Sequence, residues 1–206
     1  MMTRVHSTVS PDESLPSSSG CKRQDVLTVW KKSLLLNCSG FTVFNSKGEL
    51  VFRVDNYCND NREEMVLMDA AGKPLVTMRK KKLCLGDQWQ LFEGEPKETR
   101  GSPKPIYCVK KHSSILKNPK NLAHIFDGSC KNFQFVVHGS YTKRSCQVID
   151  ESGRVVAETK MKETVCGVNY TDVFQLIVQP DFDAATAMAT VLLLDRMFSS
   201  RWSPIF

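Results

Sequence analysis

Residues 184–194 read Ala-Ala-Thr-Ala-Met-Ala-Thr-Val-Leu-Leu-Leu, a run without one charged side chain. Asp183 stands directly before it, with the short carboxylate that suits a helix N-cap, and the pattern predicts a helix over 184–198. A helix that is apolar on all sides has to be enclosed on all sides. A bilayer does not meet that need, since spanning one takes about 20 apolar residues. Thr186 and Thr190 tolerate burial because a threonine hydroxyl can bond back to the preceding helical turn. The segment therefore reads as a core helix, with Met188, Val191, Leu192, Leu193 and Leu194 as its packing surface. A helix of this length rises about 22 Å, close to the length of a six-residue strand at about 3.3 Å per residue. A helix threaded through a closed β-barrel meets these conditions. The barrel needs more than about eight strands, a number at which side chains alone fill the interior.

The rest of the chain supplies the strands. Phe41-Thr42-Val43-Phe44 and Leu50-Val51-Phe52-Arg53-Val54 flank the turn Asn45-Ser46-Lys47-Gly48. The same grammar returns around Asp69-Ala70-Ala71-Gly72, between Val66-Leu67-Met68 and Leu75-Val76-Thr77-Met78. It returns again around Asp150-Glu151-Ser152-Gly153, between Gln147-Val148-Ile149 and Val155-Val156-Ala157. In each turn the Asn or Asp side chain can accept from backbone amides ahead of it, and the glycine can take a left-handed conformation; this predicts three hairpins. Their spacing is too irregular for a stacked solenoid. Further strands are predicted over 26–30, 34–36, 89–92, 106–109, 133–137 and 173–178. The total is about a dozen, a mainly β chain forming an antiparallel β-barrel around the buried C-terminal helix. Residues 93–105 and 111–120 read as polar loops. For 206 residues a single domain over 25–206 is expected, after a disordered Ser/Pro-containing lead over 1–24.

Three stretches resemble a known family. They are Leu27-Thr28-Val29-Trp30-Lys31-Lys32-Ser33, then Gly40-Phe41-Thr42-Val43-Phe44-Asn45-Ser46-Lys47-Gly48-Glu49-Leu50-Val51-Phe52-Arg53-Val54-Asp55, and the apolar C-terminal helix. Together they look like the LURP-one-related proteins of plants, over roughly residues 25–206. The resemblance implies a Tubby C-terminal-like fold, a twelve-stranded barrel around a central helix, shared with Tubby proteins and phospholipid scramblases. It also implies membrane-tethered transcription factors among the relatives, and a link to plant defence. It carries over no catalytic residue and no cofactor, so the chain is expected not to be an enzyme.

Charge supplies the functional lead. The net charge is +6, and residues 79–120 hold the whole excess while the flanking segments are nearly balanced. Arg79, Lys80, Lys81, Lys82, Lys110, Lys111, Lys117 and Lys120 are the candidates for a cationic face. Such a face suits anionic phospholipid head groups, at about 1 kcal/mol for each basic residue near the surface. The resemblance points the same way, since Tubby domains bind phosphoinositides through basic side chains. The alternative is that these lysines guard strand edges against aggregation and stay solvated, which leaves a protein–protein scaffold in defence signalling as the second function. Residues 79–82 also match a short nuclear-localisation run, a weak pattern. Direct DNA binding is disfavoured, because no zinc-ligand set, helix-turn-helix pattern or RNP-like strand accompanies the basic window.

No catalytic site or cofactor fingerprint is found, and no metal-ligand spacing among His112, His124 and His138. A Cys–His pair such as Cys130 with His124 stays open from sequence alone. Scramblases carry a proposed calcium-binding segment before their last helix. The matching residues 172–183 place Phe174, Leu176 and Val178 where oxygen ligands are needed and hold no glycine, so they read as a strand followed by a helix cap. No apolar signal-peptide core is found near the N-terminus. The eight cysteines are therefore expected as reduced thiols, and Asn37-Cys38-Ser39 and Asn169-Tyr170-Thr171 as unmodified sequons. Cys21, beside Lys22 and Arg23, is a weak candidate for acylation. A cytoplasmic monomer without a transmembrane span is expected, peripheral at the plasma membrane, nuclear, or both.

Overall fold

The structure is a computed structural model that describes residues 23–35, 38–56, 63–84, 86–96, 103–112, 120–162 and 172–199. The expected disordered lead lies outside them, but for its last two positions. Among the described residues the chain forms twelve strands and one helix. The strands are Asp25–Trp30 (β1), Ser39–Phe44 (β2), Leu50–Asn56 (β3), Glu64–Asp69 (β4), Pro74–Lys80 (β5) and Gln88–Glu93 (β6). They continue as Tyr107–Lys111 (β7), Asn121–Asp127 (β8), Phe133–Ser140 (β9), Ser145–Asp150 (β10), Val155–Met161 (β11) and Val173–Val178 (β12), and Ala184–Phe198 (α1) follows. Each strand pairs antiparallel with the next, and β12 returns to β1 with Asp25 opposite Val178 and Trp30 opposite Val173. This is the closed barrel expected from the resemblance.

The three predicted turns form as their side chains dictate. Asn45 Oδ1 accepts from the amides of Lys47 and Glu49, Asp69 Oδ1 from that of Lys73, and Asp150 Oδ1 from those of Ser152 and Arg154. Gly48, Gly72 and Gly153 take positive φ of 81°, 86° and 81°. A fourth turn of this kind joins β8 to β9. Asp127 Oδ1 accepts from the amides of Lys131 and Asn132, and Cys130 stands at φ 60° where the others have glycine.

Strand alternation fills the interior from every side. Leu27 and Val29, Phe41 and Val43, Leu67, Met78, Leu91, Ile125, Phe174 and Leu176 all point inward onto the helix. Along α1, Thr186 to Asp195 are all buried, with Met188, Leu192 and Leu193 inaccessible or nearly so. Asp183 is the N-cap, its carboxylate accepting from both the amide and the hydroxyl of Thr186, while Thr190 bonds back to the Thr186 carbonyl. Gly40 on β2 is required by close approach, because a Cβ there would meet the Val54 carbonyl oxygen.

Three sequence expectations need correction. Residues 34 and 35 of the apolar triplet 34–36 are loop, and Leu36 lies outside the described residues. The Ser33 hydroxyl accepts from the Leu35 amide, and Leu34 is exposed. The expected dozen omitted β8, whose sequence Asn-Leu-Ala-His-Ile-Phe-Asp alternates too weakly to stand out. The expectation of reduced thiols fails for Cys108 and Cys130, which are joined as a disulfide with Cα atoms 5.3 Å apart. Their wide sequence spacing hid the contact. The β8–β9 turn lies over β7, with Gly128 so close to Pro105 that a Cβ would clash. Cys38, Cys84 and Cys146 are not disulfide-bonded, and Cys21, Cys58 and Cys166 lie outside the described residues.

Candidate functional site

Consecutive strands of the barrel run in opposite directions, so its two ends collect residues from alternate strand termini. α1 enters at one end, the cap rim, where Asp183 caps it, and leaves at the other, the exit rim. All odd-numbered strands finish at the exit rim. Arg79 and Lys80 close β5, Lys81 and Lys82 follow it, Lys110 and Lys111 close β7, and Lys120 precedes β8. The expected basic residues that are described thus share one rim, while Lys117 lies outside the described residues.

The same rim adds basic residues that the sequence window missed. Lys31 and Lys32 follow β1, Lys143 and Arg144 form the β9–β10 turn, Lys160 lies near the end of β11, and Arg196 is on the last turn of α1. The cap rim carries a net acidic excess by contrast, although Lys47, Lys73, Lys104, Lys131 and Arg154 also lie there. Asp69, Asp127 and Asp150 open its hairpin turns, Glu93 ends β6, and Asp181 and Asp183 precede the helix. The sequence signal for this axial separation is parity, charge at the finish of every second strand, and it becomes readable only once an up-and-down barrel is assumed.

Local contacts engage part of this charge. The Arg79 guanidinium donates to Glu64 across β4–β5, Lys80 pairs with Asp87 at 3.0 Å, and Lys82 with Glu63 at 3.1 Å. Solvated pairs of this kind contribute at most about 1 kcal/mol, so they leave their cations open to a stronger anion. Lys81 is exposed and makes no ion pair among the described residues. Lys110 Nζ stands 4.6 Å above the Phe126 ring centroid. Lys111 serves the helix instead: its Nζ donates to the Met197 carbonyl at 2.7 Å and lies over Phe198, a cation set against the negative end of the helix dipole. Deeper at this rim, the buried Asp195 carboxylate takes Lys31, Tyr141 and Ser199. A cavity of about 190 Å³ opens beside it, lined among others by Lys31, Lys32, Phe41, Leu192 and Arg196.

Other candidate chemistry resolves differently. Cys130 is bonded to Cys108, so a thiolate–imidazole pair with His124 does not form. The His112 and His124 rings lie with centroids 5.0 Å apart, tilted at 55°, and burial, then the imidazoles of His112 and His138, hold His124 below the usual histidine range. The described residues contain no group of three or more His, Cys, Asp or Glu side chains that could hold a metal. Residues 172–183 form β12 and the helix cap, with Phe174, Leu176 and Val178 in the core. No helix among the described residues is long and apolar enough to cross a membrane.

Known proteins are similar to this chain in architecture and in sequence. The barrel is similar to an X-ray structure of a protein from Arabidopsis thaliana, with TM-score 0.62 and 27% identity, covering 84% of this chain and 91% of that one. Protein LURP-one-related 8 of Arabidopsis thaliana is 46% identical over 203 residues, 97% of this chain and 100% of the relative. Protein LURP-one-related 17 of the same plant is 43% identical over 185 residues, 84% of this chain and 83% of the relative. The family model described as LURP-one-related matches residues 25–195, from the first strand to the buried Asp195. By both its barrel and its sequence, the chain belongs to the LURP-one-related family.

Proposed function

We propose that this chain binds anionic phospholipid surfaces, including phosphoinositide-bearing ones, through the exit rim of its barrel, without catalysing a reaction. The convergence of Arg79, Lys80, Lys81, Lys82, Lys110 and Lys120 on one end supports this reading: basic residues outnumber acidic ones there, even with Glu63, Glu64 and Asp87 present, while acidic residues are in excess at the other. Each basic side chain near an anionic leaflet adds about 1 kcal/mol, within a Debye length of about 8 Å at physiological salt. An axial separation of charge also orients the approaching molecule before contact. The kinship with Tubby proteins and scramblases, and a setting in plant defence, belong to the same proposal.

Co-sedimentation with phosphoinositide-containing against neutral liposomes, at low and near-physiological salt, tests it. Binding is expected only to the anionic vesicles, weaker at the higher salt. Reversing Lys80, Lys81 and Lys82 to Glu should abolish it while Tm moves by only a few degrees, since exposed charges contribute little to stability. Unchanged binding by that variant overturns the proposal. The second reading, a protein-interaction scaffold, draws on an apolar groove of about 410 Å³ lined by Trp30, Leu34, Leu35 and Phe44. It predicts a stable protein partner and no lipid preference.

A further inference from the structure

The large apolar side chains that the fold leaves exposed gather mainly at the basic end. Trp30 closes β1, Leu34 lies in the β1–β2 loop, Leu83 follows β5 and Met161 closes β11, all at the exit rim. Val26 and Ile106 are exposed away from it. Single exposed apolar residues are ordinary on any surface. Their concentration on one end, interleaved with lysines, calls for a physical reason.

Leu83 makes the case sharpest. It is fully exposed and sits at φ 59°, in the left-handed region where a branched L side chain is strained. Packing does not hold it there, and a glycine would occupy the same turn more easily. Its position holds the isobutyl group away from the barrel, directly after Lys81 and Lys82. Trp30 is 43% exposed, with the Lys32 ammonium 5.5 Å from its ring centroid. An amphipathic ring beside a lysine is the pairing favoured at the boundary between head groups and acyl chains.

The anchors are spread around one end of the barrel. β1 and β5 are four strand spacings apart, about 19 Å along the barrel wall. A flat partner meets both groups of anchors together, whereas a peptide in the groove lined by Trp30 and Leu34 would not reach Leu83 four strands away. Nucleic acid offers phosphates but no apolar layer for Leu83 and Leu34.

We propose that the exit rim docks end-on on an anionic bilayer, with Trp30, Leu34 and Leu83 seated in the interfacial layer and Lys32, Lys81 and Lys82 against head-group phosphates. This rests on the lipid-binding reading above and adds to it an orientation and a set of apolar anchors.

Two measurements on the full chain test the docking. Trp30 emission, taken as the difference from a Trp30→Phe variant, should be quenched by vesicles of brominated phosphatidylcholine carrying a minor share of phosphatidylinositol phosphate. Leu83→Gly should lower partitioning into the unbrominated vesicles roughly fivefold at physiological salt. It should leave Tm unchanged or raised, because glycine relieves the positive φ. Vesicle binding with Trp30 unquenched and Leu83→Gly unaffected overturns end-on docking and leaves the electrostatic reading standing. Failure of the unaltered chain to bind anionic vesicles at low salt overturns both.

Discussion

Tyr141 and Asp195, 54 residues apart in sequence, meet through a 2.7 Å hydrogen bond where the central helix leaves the barrel. The carboxylate also accepts from Lys31 on the β1 side and from Ser199 one turn further on. A buried charge is tolerated only where such partners are in place. Sliding α1 by one turn would move Asp195 among the leucines of the interior, so this bond fixes the axial register of the helix.

Removing the Tyr141 hydroxyl should therefore cost stability without unfolding the chain. Tyr141→Phe is expected to lower the urea unfolding free energy by about 1–2 kcal/mol, since Asp195 keeps Lys31 and Ser199. Burial, and then the Asp195 charge, raise the Tyr141 pKa above the ordinary tyrosine value. The stability it contributes is accordingly present in full below about pH 10 and is lost as pH rises beyond it. Absorbance at 295 nm should show Tyr141 failing to ionise until the barrel unfolds.

Leu193 lies at the barrel centre with no accessible surface. Truncation to Ala should destabilise by about 2–5 kcal/mol, the range for a leucine cavity that cannot collapse. Leu193→Asp should leave no folded population by circular dichroism, because no partner stands ready for its charge. A folded, monomeric Leu193→Asp variant would contradict the central position of the helix.

Peptide mapping without reductant should recover Cys108 linked to Cys130. In the chain-entropy account a bridge over this 22-residue separation stabilises by about 3 kcal/mol, to be read as the loss in Cys130→Ala. Cys130→Gly should lose about 1 kcal/mol less than Cys130→Ala, because φ is 60° at that position. Equal losses would mean that the turn relaxes freely once the bridge is gone.

Asp127 should show in acid titration. The Ser129 hydroxyl, followed by the amides of Lys131 and Asn132 and the Asn132 side chain, lowers its pKa to about 2. A depressed carboxyl contributes stability above its unfolded value near 4, and that contribution is lost as pH falls from there towards 2. Carboxyl carbon shifts followed by NMR should place its midpoint below the ordinary aspartate value, and Asp127→Asn should remove that acid-side slope.

The barrel was legible because its strongest signals are local. The charge-free run at 184–194, the Asp183 cap and three Asn/Asp-x-x-Gly turns each carry their own reason for folding as they do. β8 was missed because its inward positions, Ala123 and Ile125, alternate with Leu122 and Phe126, which blurs the two faces. Residues 34 and 35 do not form the expected strand because hydrophobicity alone does not distinguish a strand from a loop held by the Ser33 hydroxyl. The bridge between Cys108 and Cys130 and the gathering of Lys31, Lys160 and Arg196 at one rim depend on which strands become neighbours and which way each runs. Neither is encoded in spacing along the chain.

The closing seam between β1 and β12 sets the order in which this molecule can be made. A twelve-stranded ring is too wide for its own side chains to fill, and the filler, α1, follows every strand in the sequence. During synthesis the nascent sheet must therefore wait, open along β1 and hollow, until the residues after 178 emerge. Only then can the ring shut around them. Eleven of the twelve pairings join consecutive strands, so the β1–β12 seam is the one step that has to span nearly the whole described chain.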